Sequence, residues 1–240
     1  MKLFGWTGKK SERPLCSAVI VAAGSSRRMG GVDKIMAELH GQSVIAHTIR
    51  AFELSDCIDE IIVVTRKDLI EPVREQACGF TKVTQVIEGG STRIESVKKG
   101  LLAVRKDAEL AAIQDGARPL VTEEIIREAV SKAQRCHAAA PAVPVKDTIK
   151  AINGSGRVTA TPARDTLRAV QTPQVFDRDL LLAAWEKASR DGIAYTDDCG
   201  AMEGLGVPVY LTEGNEENIK ITTPLDLLLA EEIMKRREPL

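Results

Sequence analysis

Short apolar runs alternate with amphipathic stretches along almost the whole chain, and this alternation restricts the fold more than any other feature of the sequence. Residues 17–23 have the composition of a buried strand and end at Gly24, whereas residues 44–54 have the spacing of a helix. The same alternation recurs up to residue 145. It predicts an α/β fold in which a mostly parallel sheet carries helices on both faces. Ligands of such folds gather at the carboxyl ends of the strands.

The composition of the chain disfavours nucleic acid as a partner. Its 240 residues fit one α/β domain, and 33 basic against 34 acidic side chains leave no basic field for a nucleic acid polymer. Aromatic residues make up only 3%, too few for a base-stacking platform. We therefore expect no nucleic acid partner. We also expect a single domain over residues 17–240 after a flexible leader over residues 1–16.

The cysteines and the apolar runs indicate a cellular location. Five cysteines are scattered, odd in number and without a C-x-x-C pair, which favours free thiols in a reducing compartment over a disulfide or zinc site. No apolar run reaches the length of a membrane span, and the start lacks the apolar core of a signal peptide. These features predict a cytoplasmic protein without membrane contact.

Residues 146–170 interrupt the strand–helix alternation. Polar and apolar residues alternate there around Asn153-Gly-Ser-Gly156, which is a strong signal for a hairpin turn. A two-stranded ribbon is barely stable alone. We therefore predict a projecting β-ribbon arm that packs on a partner subunit.

The strongest local motif is Ala22-Ala-Gly-Ser-Ser-Arg-Arg-Met29, followed by Asp33-Lys34. It comes directly after the first strand, and Gly24 with two serines lets backbone N–H groups approach anionic oxygens. Arg28 and Lys34 add positive charge beside them. The motif is neither a P-loop nor the G-x-G-x-x-G of dehydrogenases. A glycine turn with solvated basic residues is the alternative, and the position at a strand end favours phosphate binding.

A second motif, Gln114-Asp-Gly-Ala-Arg-Pro119, also follows a strand. Asp115 could hold Mg²⁺ between phosphate oxygens, since this ion takes one or two carboxylates and leaves its other positions to water and phosphate. In the alternative, Arg118 pairs with Asp115 in a purely structural turn.

Two later segments carry further polar residues. Thr196-Asp-Asp198 fits either a ligand site or a helix cap. Residues 218–221 are predicted to form a strand, so Lys220 and Thr222 should share a face, and another strand is predicted over residues 207–211. The histidines show no pairing with a nucleophile, so a covalent mechanism lacks its parts.

Together these motifs resemble the 2-C-methyl-D-erythritol 4-phosphate cytidylyltransferase family of the non-mevalonate isoprenoid pathway. The resemblance rests on the phosphate loop, Asp115 to Pro119, Gln171-Thr-Pro-Gln174, Thr196-Asp-Asp198 and Asn218-Ile-Lys-Ile-Thr222, in this order. It spans about residues 17–235. It implies a Rossmann-like fold of the nucleotide-diphospho-sugar transferase type, Mg²⁺ as cofactor, CTP and methylerythritol phosphate as substrates, and a homodimer joined through the arm.

The resemblance also implies roles for individual residues. Arg28, Lys34 and Lys220 would contact phosphates and stabilise the transition state. Asp115 would contact Mg²⁺ and the triphosphate. The nucleotide would be bound around Ala22, Ala23, Gly24, Gly90, Ser91 and Ser96. Methylerythritol phosphate would be held by Thr148, Arg164 and Thr196, of which Thr148 and Arg164 would serve the neighbouring subunit.

One departure and two rivals accompany this resemblance. Asp33 stands before Lys34, where the family commonly has proline. Ribitol-5-phosphate cytidylyltransferases share the nucleotide half but tend to carry Tyr-Gln-Gly before the Gln-Thr-Pro-Gln segment, where this chain has Leu167-Arg-Ala-Val170. The other rival is a non-catalytic CTP-binding protein with the same fold.

Overall fold

The computed structural model describes residues 13–26, 29–30 and 33–237. Most of the predicted leader, residues 1–12, lies outside the described residues, as does Arg28. Residues 13–16 are part of the domain rather than of a leader. The Arg13 guanidinium lies 2.8 Å from the Asp59 carboxylate, and Cys16 is already the first residue of a buried strand.

The chain alternates strands and helices as expected. The strands are β1 (Cys16–Ala22), β2 (Glu38–Leu39), β3 (Gln42–Ser43), β4 (Glu60–Thr65), β5 (Val83–Glu88), β6 (Leu110–Asp115), β7 (Ala138–Pro144), β8 (Ala151–Ile152), β9 (Val158–Ala160), β10 (Arg168–Val170), β11 (Gln174–Asp177) and β12 (Tyr210–Glu213). The helices are α1 (Val44–Glu53), α2 (Ile70–Ala77), α3 (Arg93–Ala103), α4 (Glu123–Cys136), α5 (Arg178–Asp191), α6 (Asp198–Leu205) and α7 (Pro224–Arg237).

The central sheet is mixed but mostly parallel, which confirms the predicted fold class. Strands β5, β4, β1 and β6 are neighbours in this order and run parallel. Strand β11 is antiparallel to both β6 and β7, and β12 runs parallel to β7. Ala142 pairs with Val170 of β10 on one side and with Glu213 of β12 on the other. Strands β10 and β11 therefore follow each other along one edge of β7.

Both faces of the sheet are covered, because alternate residues of each inner strand point to opposite sides. In β1, Ala18 and Ile20 join a core with α1, α2 and α4, whereas Val19 joins a core with α3, α5 and α6. All six residues of β6 are buried. A third, smaller core packs α7 through Ala230 and Ile233. The carboxyl ends of β1, β5 and β6 thus face a common edge.

Of two strand predictions near the end of the chain, one is shifted and the other is wrong. The strand predicted over residues 207–211 begins at Tyr210, and residues 218–221 form a loop. Backbone groups of this loop find other partners: Asn218 donates to Asn215 O, and Ile221 donates to Ala117 O. Because these bonds satisfy the backbone groups without a neighbouring strand, the alternating polar and apolar residues there form no strand.

The predicted arm is present, but it is shorter than expected. Strands β8 and β9 form a hairpin whose turn is held by the Asn153 side chain, which accepts from the N–H groups of Ser155 and Arg157. Residues 146–166 are all exposed, so the hairpin has no packed face within the chain. Residues 168–170 belong to the central sheet instead, as β10.

Among the described residues, no helix is long and apolar enough to cross a membrane.

Candidate active site

A cleft of about 370 Å³ opens at the carboxyl ends of β1, β5 and β6. It brings together nine of the residues that the sequence predicted for the site, although they lie up to 198 positions apart along the chain. These residues are Ala22, Ala23, Gly24, Lys34, Gly90, Ser91, Ser96, Asp115 and Lys220.

The first wall of the cleft is the loop that follows β1. A Cβ atom placed on Gly24 would lie 3.9 Å from Lys34 Nζ, so the ammonium group lies above the glycine backbone. The backbone N–H of Lys34 donates to Ser26 Oγ at 3.2 Å. The loop thus presents backbone and a lysine charge on one surface, an arrangement suited to phosphate oxygens.

The second wall is the loop between β5 and α3, and it requires glycine. A Cβ on Gly89 would lie 2.7 Å from both Ala23 Cβ and Ser96 Oγ, and a Cβ on Gly90 would lie 2.1 Å from Glu95 Cβ. Ser96 is almost fully buried and accepts from Gly90 N at 3.0 Å. The N-cap of α3 is Thr92, whose side chain accepts from Glu95 N. Ser91 is thereby left at the cleft.

Asp115 is the last residue of β6 and the central acid of the cleft. Its Oδ2 lies 2.8 Å from Lys220 Nζ and 3.4 Å from Arg118 Nε. Burial by itself raises the pKa of Asp115, but the charges of Lys220, Arg93 and Arg118 outweigh burial and hold that pKa below its ordinary value. Asp115 is therefore a carboxylate at neutral pH. The predicted pairing with Arg118 does occur, but Lys220 makes the shorter contact.

Sequence reasoning missed Arg93, which also lines the cleft. Its Nη2 lies 2.7 Å from Oδ2 of Asp198, a fully buried carboxylate at the start of α6. Trp185 Nε1 donates to the other oxygen of Asp198 at 3.0 Å. Burial raises the pKa of Asp198 even beside this guanidinium. The pair of Arg93 and Asp198 joins the second wall of the cleft to α6. In the sequence, only the position of Arg93 after β5 could have indicated that it belongs to the site.

The segment that carries Lys220 is fixed from two sides. The Asn218 amide is fully buried and donates to Gln171 Oε1 and to Thr172 O, while Arg118 Nη1 donates to Asn218 O at 2.6 Å. Thr172 Oγ1 in turn accepts from the backbone N–H of Asp115 at 3.1 Å. These bonds link the Gln-Thr-Pro-Gln motif to Asp115 and to the segment that carries Lys220.

Asp226 fixes the other end of this segment. Its Oδ2 accepts from the backbone N–H groups of Thr222 and Thr223, at 2.9 and 2.7 Å, and from both hydroxyls. This is a capping box, in which an acidic residue in the first turn reaches back to the residue that caps the helix. Burial by itself raises the pKa of Asp226, but these hydrogen bonds outweigh burial and lower that pKa.

We expect Asp226→Asn to reduce the free energy of unfolding by about 1 kcal/mol at pH 7, the usual cost of a lost cap. A carboxylate with a lowered folded-state pKa stabilises the protein above its unfolded pKa, about 3.9, and loses that effect as pH falls through the folded value. The difference should therefore shrink at pH 3. Urea unfolding at both pH values measures it, with the exposed Asp147→Asn as control. An equal difference at both pH values would contradict the charge argument.

Three of the predicted residues lie outside the cleft. Thr148 and Arg164 are exposed on the arm, where Arg164 Nη1 donates to Lys146 O at 2.9 Å, and neither lines the cleft of its own chain. Thr196 is exposed just before α6, whose N-cap is Asp197. The helix-cap interpretation of this motif therefore holds for Asp197. Arg28 lies outside the described residues.

The donor groups suit a cation held mainly by substrate. Among the described residues, no group of three or more His, Cys, Asp or Glu side chains is arranged to hold a metal ion. Asp115 alone offers a carboxylate inside the cleft, beside positive charges suited to phosphate. One carboxylate is enough for Mg²⁺, which keeps water and substrate phosphates as its other ligands.

Known sequences of one family are similar to this chain over nearly its whole length. The sequence profile of the 2-C-methyl-D-erythritol 4-phosphate cytidylyltransferase family matches residues 16–236. The 2-C-methyl-D-erythritol 4-phosphate cytidylyltransferase of Alkaliphilus oremlandii is 46% identical over 225 residues, which cover 92% of this chain and 95% of that protein. The corresponding protein of Desulforamulus reducens is 45% identical over 229 residues, covering 92% and 96%.

Solved structures are similar in fold as well. The crystal structure of 4-diphosphocytidyl-2C-methyl-D-erythritol synthase from Anaerococcus prevotii superposes with a TM-score of 0.84 at 32% identity, covering 93% of this chain and 97% of the other. The 2-C-methyl-D-erythritol 4-phosphate cytidylyltransferase of Thermus thermophilus superposes with a TM-score of 0.75 at 33% identity, covering 90% and 98%.

Proposed function

The chain belongs to the 2-C-methyl-D-erythritol 4-phosphate cytidylyltransferase family, and from this premise we propose that the cleft at β1, β5 and β6 is its active site. The protein transfers CMP from CTP to 2-C-methyl-D-erythritol 4-phosphate, giving 4-diphosphocytidyl-2-C-methyl-D-erythritol and pyrophosphate. The observation that carries the site assignment is the meeting of Lys34, Asp115 and Lys220 in one cleft.

The residue types in the cleft suit phosphate attacking phosphate. The acceptor's phosphate oxygen is already ionised at neutral pH, so the reaction needs no general base, and no histidine lines the cleft. Attack on the α-phosphorus with pyrophosphate leaving requires alignment of two polyanions and neutralisation of developing charge. Lys34 and Lys220 supply that charge, together with Arg28 as the sequence predicts.

The nucleotide lies between the two walls of the cleft. Backbone at Ala22, Ala23 and Gly24 meets the ribose and phosphates, while Gly90, Ser91 and Ser96 meet the base. This assignment is supported by the close approach of Gly89 to the side chains of Ala23 and Ser96, which brings the two walls together without room for a larger residue.

Asp115 would hold Mg²⁺ with the triphosphate. Bound there, the ion would neutralise phosphate charge. Within the chain itself, Asp115 orients the Lys220 ammonium through their 2.8 Å contact. Lys220 is thereby aimed into the cleft, where it can bridge the phosphates of both substrates.

The acceptor half of the site is assigned to two subunits. Thr196, next to the N-cap of α6, is assigned to the cleft of its own chain. Thr148 and Arg164 are assigned to the cleft of a second copy, because the arm that carries them is exposed throughout and has no packed face within its own chain. A homodimer joined through the arm would also cover Ile152 and Val158, which are 62% and 50% exposed. We place this enzyme in the cytoplasm, because its five cysteines are free thiols, as in proteins of reducing compartments.

A pyrophosphate-release assay with CTP and Mg²⁺ tests the proposed function. Methylerythritol phosphate should support turnover, and ribitol 5-phosphate at the same concentration should give little. A clear preference for ribitol 5-phosphate would move the chain to the other polyol phosphate. Tight CTP binding without release from either acceptor would indicate a non-catalytic CTP-binding protein.

A further inference from the structure

Arg66 follows β4 directly and reaches across to the loop after β1. Its Nη1 donates to Gly24 O at 3.0 Å and lies 2.7 Å from Asp33 Oδ2. Gly24 opens this loop, and Asp33 is the residue just before Lys34. One guanidinium thus holds both ends of a ten-residue segment, residues 24–33.

Asp33 connects this contact to the lysine that follows it. Its other oxygen, Oδ1, accepts from Ile35 N at 3.0 Å, and its backbone O accepts from Ala37 N at 2.8 Å. The turn that begins at Lys34 therefore starts from a residue whose side chain is fixed by Arg66. Ile35 is buried, so the middle of the turn is anchored as well.

The remaining donors of Arg66 fix the guanidinium itself. Its Nε and Nη2 donate to the two carboxylate oxygens of Asp68, at 3.1 and 3.0 Å. Such a forked contact restricts the orientation of the guanidinium plane. Arg66 and Asp33 are 28% and 20% exposed, so their pair is shielded from solvent ions more than a surface pair is.

We propose that Arg66 is a positioning residue that closes the phosphate loop, so that the Lys34 ammonium lies above Gly24 where the triphosphate binds. Holding Gly24 and Asp33 together costs conformational entropy, and Arg66 places that cost on folding rather than on substrate binding. The inference rests on the proposed function, since it assigns the triphosphate to this loop. Arg66 itself touches no substrate in this scheme.

Arg66→Met tests the proposal by two readouts. Hydrogen exchange of the free protein should become faster in peptides covering residues 24–37 and stay unchanged in those covering β6. The kcat/KM for CTP should fall by about 10-fold to 100-fold, the cost typical of a misplaced catalytic group. The KM for methylerythritol phosphate should stay within about 2-fold. A merely structural role would instead lower the melting temperature without separating the two substrates.

Two further variants make the test specific. Asp33→Asn keeps the acceptor for Ile35 but loses the ion pair, so it should reproduce Arg66→Met, and the double variant should be no worse than either single one. Arg74→Met is the matched control, because Arg74 is an exposed arginine of α2 that pairs with Glu71, and its loss should change kcat/KM by about 2-fold or less.

The results of these experiments distinguish a failure of the role proposed for Arg66 from a failure of the proposed function. An active wild type whose Arg66→Met variant shows unchanged loop exchange and unchanged kinetics overturns the role of Arg66. An inactive wild type overturns the proposed function, and the exchange experiment still decides whether Arg66 closes the loop.

Discussion

Replacing Lys220 by alanine should lower kcat by about 10²–10³-fold, the usual effect of removing one group that stabilises charge developing in a transition state. Lys220 Nζ lies 2.8 Å from Asp115, and the side chain keeps 39% of its surface exposed in the cleft. It can therefore contact substrate while Asp115 fixes its direction. Pyrophosphate release at saturating CTP and methylerythritol phosphate measures this loss.

The fold should survive the Lys220 substitution. Asp115 keeps Arg118 at 3.4 Å and the nearby charge of Arg93, so no buried carboxylate is left alone. Lys235→Ala, in the last turn of α7, is the matched control and should retain full turnover. Near-normal turnover of Lys220→Ala would exclude Lys220 from the mechanism, and a large drop in melting temperature would give the residue a structural role instead.

The fold could be predicted from the sequence wherever one local rule decided the element. Residues 44–54 have the spacing of a helix, and the structure confirms a helix there, α1, over Val44–Glu53. Residues 218–221 show where such rules fail. Their alternating pattern is typical of a strand, but the buried Asn218 amide bonds to Gln171 and Thr172, more than 40 residues away. Tertiary partners of this kind leave no trace in local spacing.

In the candidate site, too, some residues could be predicted from the sequence and others could not. Asp115 and Lys34 were predictable because charged residues that follow strands of a parallel sheet meet at one edge. The contact between Arg93 and Asp198 was not, since it joins residues 105 positions apart. The contact between Arg66 and Asp33 was equally hidden, because Arg66 sits among ordinary surface residues in the sequence. Sequence motifs therefore identified groups that line the cleft, and the structure added those that hold them.

The arm has no packed face within its own chain. Residues 146–166 are exposed throughout, although they carry Thr148 and Arg164, which the family resemblance assigns to the acceptor. If each cleft receives the arm of a second copy, Lys220 and Arg164 in one working site come from different chains. Inactive variants of the two residues should then compensate for each other in a mixed dimer.

Coexpression of Lys220→Ala with Arg164→Ala chains should restore about a quarter of wild-type activity, although each variant alone is nearly inactive. Half of the randomly formed dimers carry both chain types, and each of these holds one site with an intact Lys220 and an intact partner arm. Pyrophosphate release by the unfractionated mixture measures this quarter, and mixed dimers purified through two affinity tags should reach about half of wild-type activity. Arg164→Ala with Thr148→Ala is the matched control, because both changes fall on the arm and leave no complete site. Mixed dimers that stay inactive would place Arg164 in the site of its own chain, and an Arg164→Ala enzyme that is fully active by itself would place Arg164 outside the site.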